Sequence, residues 1–197
     1  GFPCFDRADG QPLGADLDGS RQIVTVTQKS VMAVSPIDGR ELWQVPWPGE
    51  GGGPMPVLHA GLVIVSGLNA GVAAYKPALL DGTWTVGKVW ETKEVSMYLS
   101  NPVVVDGTLF GLSHRSSGQF FALDASTGRT LWLSEPRQAT NTAVVKAGKL
   151  LFLLNDDGEL IVAASSREKF DPIRRYTVAD SATWAQPAIS GHRIFIK

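Results

Sequence analysis

The fold is written in the stretch "ALDASTGRTLW", Ala122 to Trp132. A near copy, "AVSPIDGRELW", runs from Ala33 to Trp43. Each places a small residue on an apolar run, then a polar turn closed by glycine, then a tryptophan. In "DASTGR" the Asp and Thr side chains can bond their own turn backbone, and Gly128 accepts a positive φ at low cost. The backbone reverses there, so the tryptophan falls on the strand that follows the turn.

The same grammar recurs along the rest of the sequence. Turn glycines Gly19, Gly61, Gly107, Gly148 and Gly191 each open an apolar strand, at spacings of 42, 46, 41 and 43 residues. A second strand precedes most of them, as in "PVLHAG", "PVVVDG", "AVVKAG" and "PAISG". A third strand and then an aromatic residue follow: Trp43, Trp90, Trp132 and, by position, Tyr176. One unit therefore reads as four short strands over about 43 residues, which is the spacing of a β-propeller blade. No segment carries a helical period over 11 or more residues. The fold class expected is all-β, a propeller with four-stranded antiparallel blades at roughly 12–47, 54–92, 100–134 and 141–178, and one further strand opening a new blade within 184–197.

The eleven-residue pattern resembles the tryptophan-docking motif of the pyrroloquinoline quinone (PQQ) propeller repeat family. The match is closest at Ala122, Asp124, Thr127, Gly128 and Trp132. The first copy keeps Ala33, Gly39 and Trp43 but has Ser35 in place of the aspartate. The second keeps Ala74 and Trp90 around an insertion, "PALLDGTWTVGK". The resemblance implies that Trp43, Trp90 and Trp132 wedge between neighbouring blades. It also implies a ring of seven or eight blades, which takes roughly 300–350 residues at this period. Three arrangements follow: this sequence is part of a longer protein, two copies close one ring, or four blades close alone. The first is the expectation.

Bulk properties exclude several function classes. The 197 residues carry 18 basic and 19 acidic side chains and no basic block, so no nucleic-acid footprint is expected. No apolar run approaches the roughly 20 residues of a spanning helix. Cys4 is the only cysteine, so no internal disulfide forms. The three histidines and that cysteine suggest no metal cluster. "DLDG" and "NDDGE" lack the spacing of a calcium loop and read as hairpin turns. "GEGGG", from Gly49, opens no helix and reads as a connection between blades.

Blade topology sorts side chains by face. Connections from a fourth to a first strand share one face with second-to-third loops. Tyr98, Ser100, Asn101, Asn141, Thr142, Trp184 and Gln186 fall there, with Asn69, His114, Arg115, Asn155, Asp156 and Asp157 from the loops. A polar funnel with aromatic side chains suits a small polar ligand or a partner's peptide; the alternative is an ordinary solvated loop surface. The candidate binding residues are Tyr98, Asn101, His114, Arg115, Asn141, Asn155, Trp184 and Gln186, with His114-Arg115 the sharpest local pair. His59 and His192 sit beside turn glycines on the opposite face.

Within the resembled family, dehydrogenases hold PQQ with calcium under a vicinal Cys-Cys ring, using Glu, Asn and Asp ligands. This sequence has one cysteine and no matching ligand set. The expected function is therefore a non-catalytic binding scaffold for a protein, peptide or glycan, without cofactor. A PQQ- and calcium-dependent dehydrogenase subunit is the alternative. The resemblance also implies a periplasmic or extracellular location.

Overall fold

The computed structural model describes residues 12–48 and 53–197. Cys4 and nearly all of "GEGGG" lie outside them. The protein divides into two compact units. One runs through Tyr98 and includes Ser126–Gly128; the other comprises Leu99–Ala125 and Arg129–Lys197.

The first unit holds two four-stranded antiparallel sheets, each with strands in sequence order. One contains β1 (Leu13–Leu17), β2 (Ser20–Val26), β3 (Ser30–Val34) and β4 (Glu41–Pro46). The next contains β5 (Val57–His59), β6 (Leu62–Gly67), β7 (Gly71–Leu80) and β8 (Thr83–Thr92). The insertion seen in the sequence lengthens the β7–β8 hairpin to ten residues a side. Every residue of β6 is buried, as a strand covered on both faces must be. Val24, Val26, Val31 and Trp43 of one sheet share a core with Val63, Val65, Ala73 and Tyr75 of the other.

The second unit repeats the plan. Its first sheet has β9 (Val103–Val105), β10 (Thr108–Ser113), β11 (Gln119–Asp124) and β12 (Thr130–Leu133). Its second has β13 (Thr142–Ala147), β14 (Leu150–Asn155), β15 (Glu159–Ala164) and β16 (Asp171–Thr177). Phe110, Leu112 and Phe120 pack with Leu151, Leu153 and Ile161 in one core. Residues 184–197 form two short strands rather than one: β17 (Ala188–Ser190) pairs with β18 (Arg193–Phe195).

The cross-strand registers explain the small-residue-to-tryptophan spacing. Ala33 faces Trp43, Ala74 faces Trp90 and Ala122 faces Trp132. In each sheet a β-bulge follows that pair at once, between Ala33 and Val34, Ala74 and Tyr75, and Ala122 and Leu123. A methyl opposite an indole leaves the ring room beside the bulge. The fourth sheet keeps the bulge, between Val162 and Ala163, but the residue facing Val162 is Arg174. Position along the sequence assigns Tyr176 to that slot; the register corrects this to Arg174, because Tyr176 pairs with Leu160.

Candidate functional site

The tryptophans take three different environments. The Trp43 indole N–H donates to Oε1 of buried Gln22 at 2.7 Å, a partner within its own sheet. Trp90 lies against the Ser126–Gly128 turn, so closely that a Cβ on Gly128 would stand 2.3 Å from its ring. Gly128, at φ +72, is thus required for both backbone and space. Trp132 is partly exposed; its N–H donates to the Ser166 carbonyl at 2.9 Å, and its ring meets Phe110 and Phe170 at centroid distances of 6.0 and 5.9 Å. Asp124 accepts from Arg167 at 2.8 Å, and the same guanidinium donates to Thr108 at 2.7 Å. Thr127 is exposed on the turn.

At the opposite end of the sheets lie the loops expected to bind. In the first unit, Ser66 and Ser96 hold the connection leading to Tyr98. Ser66 Oγ accepts from the Met97 N–H at 2.9 Å, and Ser96 Oγ donates to the Gly67 carbonyl at 2.7 Å. Tyr98 itself is 40% exposed.

In the second unit, Ser100, Asn141, Thr142 and Asn155 form one polar network. Ser100 Oγ donates to Asn141 Oδ1 at 2.7 Å and accepts from the Thr142 N–H at 3.0 Å. Thr142 Oγ1 donates to Asn155 Oδ1 at 2.7 Å. Asn155 is fully buried, and its amide N–H groups point to the Gln138 carbonyl and Glu159. It positions the loops from below rather than meeting solvent. Asp156 accepts from the N–H groups of Thr140 and Asn141, which fixes the approach to β13. Asn101 and Asn141 are half-buried, while Gln186 is exposed and Trp184 is 61% exposed.

His114 and Arg115 open the β10–β11 loop, a single tight turn over Arg115–Ser117. This loop is laced to the segment entering β13. The Gln138 N–H donates to the Gly118 carbonyl at 3.0 Å, and the Arg137 N–H to the Ser116 carbonyl at 3.3 Å. Gly118, at φ +96, approaches so near that an added Cβ would lie 1.9 Å from the Ala139 carbonyl oxygen. Between the two segments is an open cavity of about 500 Å³ lined by Ser116, Ser117, Glu135, Pro136 and Arg137. Sequence reading reached His114 and Arg115 but missed Glu135 and Arg137. They follow an outer strand and carry no motif; only the absence of an X-Gly turn signal in "SEPRQ" sets them apart.

Among the described residues, no three His, Cys, Asp or Glu side chains are grouped to hold a metal ion. No helix among them is long and apolar enough to cross a membrane.

Residues 27–169 match the family described as outer membrane protein assembly factor BamB. The crystal structure of BamB from Moraxella catarrhalis is similar at TM-score 0.62 and 15% identity, covering 90% of this chain and 56% of that one. The quinohemoprotein alcohol dehydrogenase ADHIIG from Pseudomonas putida HK5 gives TM-score 0.65 and 15% identity, over 90% of this chain and 35% of that one. The computationally designed Ika4 protein gives 0.62 and 10%, over 81% and 92%. This chain thus spans about half the BamB structure and a third of the dehydrogenase. The search of curated proteins returned no match. At these identities the structural likenesses establish the fold alone, a propeller of PQQ-like repeats.

Proposed function

Because this chain belongs to the family of the outer membrane protein assembly factor BamB, we propose that it is a non-catalytic, envelope-located scaffold that binds a protein partner in outer-membrane protein assembly. The contact surface is built from the second unit's loops carrying His114, Arg115, Trp184 and Gln186. The observation that carries this reading is the laced β10–β11 loop. Its backbone is held by hydrogen bonds to the segment entering β13, and it presents the Arg115 side chain outward. A rigid loop with an exposed charged rim suits recognition.

The dehydrogenase alternative asks for residues that do not come together here. Within these 197 residues Cys4 is the single cysteine, and a vicinal pair needs two. The Asn and Asp side chains of these loops nearest a calcium donor set are Asn141, Asn155 and Asp156, and each is bonded to a hydroxyl or to loop backbone.

The test is complementation. In cells that lack their own copy, the full-length natural protein should restore the level of outer-membrane β-barrel proteins. A variant with His114→Ala, Arg115→Ala and Trp184→Ala should fold yet fail to restore it. Full restoration by that variant, or quinone- and calcium-dependent dye reduction by the purified protein, would overturn the reading.

A further inference from the structure

Eight non-glycine residues among those described have a positive φ. Asp18, Ala60, Asp81 and Asp106 each stand directly before a glycine in a two-residue hairpin, where the turn type demands that backbone. Asn69 lies in the β6–β7 turn, and asparagine tolerates the conformation. Ser116 at φ 54, Ser117 at φ 61 and Arg137 at φ 62 have no such local reason. All three lie on the wall of the one cavity between the β10–β11 loop and the segment entering β13. Left-handed backbone at ordinary residues persists where the surroundings over-determine it, and such strain gathers at ligand sites.

The charges on that wall are uncommitted. Among the described residues, Arg137 and Glu135 on that wall, and Arg115 next to it in the sequence, have no ion-pair partner. All three are exposed. On the wall itself one guanidinium, Arg137, stands with one carboxylate, Glu135, and Arg115 adjoins Ser116 in the sequence. A guanidinium fork matches a carboxylate bidentately, and serine hydroxyls supply further donors. Glu135 on the same wall repels a dianion and accepts a peptide N–H. The volume of about 500 Å³ suits a few residues of polypeptide rather than a lone ion.

We infer that this cavity binds a carboxylate-bearing peptide segment, with Arg137 holding the carboxylate and Ser116, Ser117 and Glu135 holding the flanking backbone. The inference rests on the scaffold reading and gives its partner a chemistry. The carboxylate can come from an acidic side chain or from the free carboxyl terminus of a polypeptide.

The experiment is an NMR titration of the isotope-labelled full-length protein. The probes are acetyl-Gly-Glu-Gly-Gly-amide, acetyl-tetraglycine with a free carboxylate, acetyl-Gly-Gln-Gly-Gly-amide and inorganic phosphate. At least one carboxylate peptide should shift the amides of Ser116, Ser117, Gly118 and Arg137 saturably, and which one does so identifies the source. Arg137→Gly keeps the left-handed backbone while removing the guanidinium, and should weaken that binding by about tenfold, as expected for loss of a charge-assisted pair. Glu135→Gln should tighten it. Equal binding of the glutamine peptide, tighter binding of phosphate, no effect of Arg137→Gly, or no shift in these loops would each overturn the inference. Failure here with successful complementation sinks the pocket and leaves the scaffold; carboxylate binding without complementation does the reverse.

Discussion

The two ends of β10 use the same backbone for opposite reasons. Before it, Asp106 at φ 47 and Gly107 at φ 72 close the hairpin with β9. After it, Ser116, Ser117 and Gly118 also run left-handed, at φ 54, 61 and 96. The first end obeys a local rule that "DG" announces. The second obeys a tertiary demand: the loop must fold back to touch Gln138 and Ala139. Regular repeats thus build one end of this sheet, and a departure from the repeat builds the other.

The largest effect is expected at Gly118. Gly118→Ala drives a Cβ into the Ala139 carbonyl and adds left-handed strain, so urea unfolding should lose about 3–5 kcal/mol. Gly148→Ala, at φ 58 with open space around it, should lose only about 1 kcal/mol. Similar losses at both would dissolve the distinction between a tertiary and a local glycine.

Next is the indole of the first sheet. Trp43→Phe leaves the Gln22 carbonyl buried without its donor and should cost about 2–3 kcal/mol in the same assay. Trp132→Phe strips the Ser166 carbonyl at a partly exposed site, and about 1 kcal/mol is expected there. The reverse order would mean that burial does not rank these tryptophans.

Ser116→Gly changes the sign. Relief of left-handed strain should outweigh the entropy cost of glycine, raising stability by up to about 1 kcal/mol. Asp106→Gly should be near neutral, because aspartate tolerates its turn.

The smallest effect lies on the long hairpin. Hydrogen bonds from Lys88 and then Lys93 hold the Glu91 carboxyl below its ordinary value of 4.5. Its folded value lies below the unfolded one, so its contribution is present above about pH 4.5 and fades as pH falls through the folded value. Solvent screening limits it to roughly 0.5 kcal/mol, and Glu91→Gln should flatten the acid limb of a stability profile by that amount.

The sequence carried the fold because three of the four blades repeat one contact rule. Ala122, Gly128 and Trp132 are spaced by strand pairing and turn geometry, both local, so the pattern survives at low identity. Arg174 escaped for the same reason: only the bulge at Val162 fixes which residue occupies the tryptophan slot. The loops were legible in part. Topology placed His114 and Arg115 between the second and third strands of their sheet, where the structure has them. It could not reveal that Asn155 is buried, nor that Glu135 and Arg137 meet Ser116 across a cavity. Those depend on how two loops about 20 residues apart pack, which no spacing encodes.

What the strain at Ser116 and Ser117 is for can be measured by pairing stability with peptide affinity in the double variant Ser116→Gly, Ser117→Gly. If the strain is held for binding, the two respond with opposite signs: a higher unfolding midpoint and weaker binding of the carboxylate peptide. A rise in both, or a midpoint and affinity equal to those of the unaltered protein, would refute that purpose.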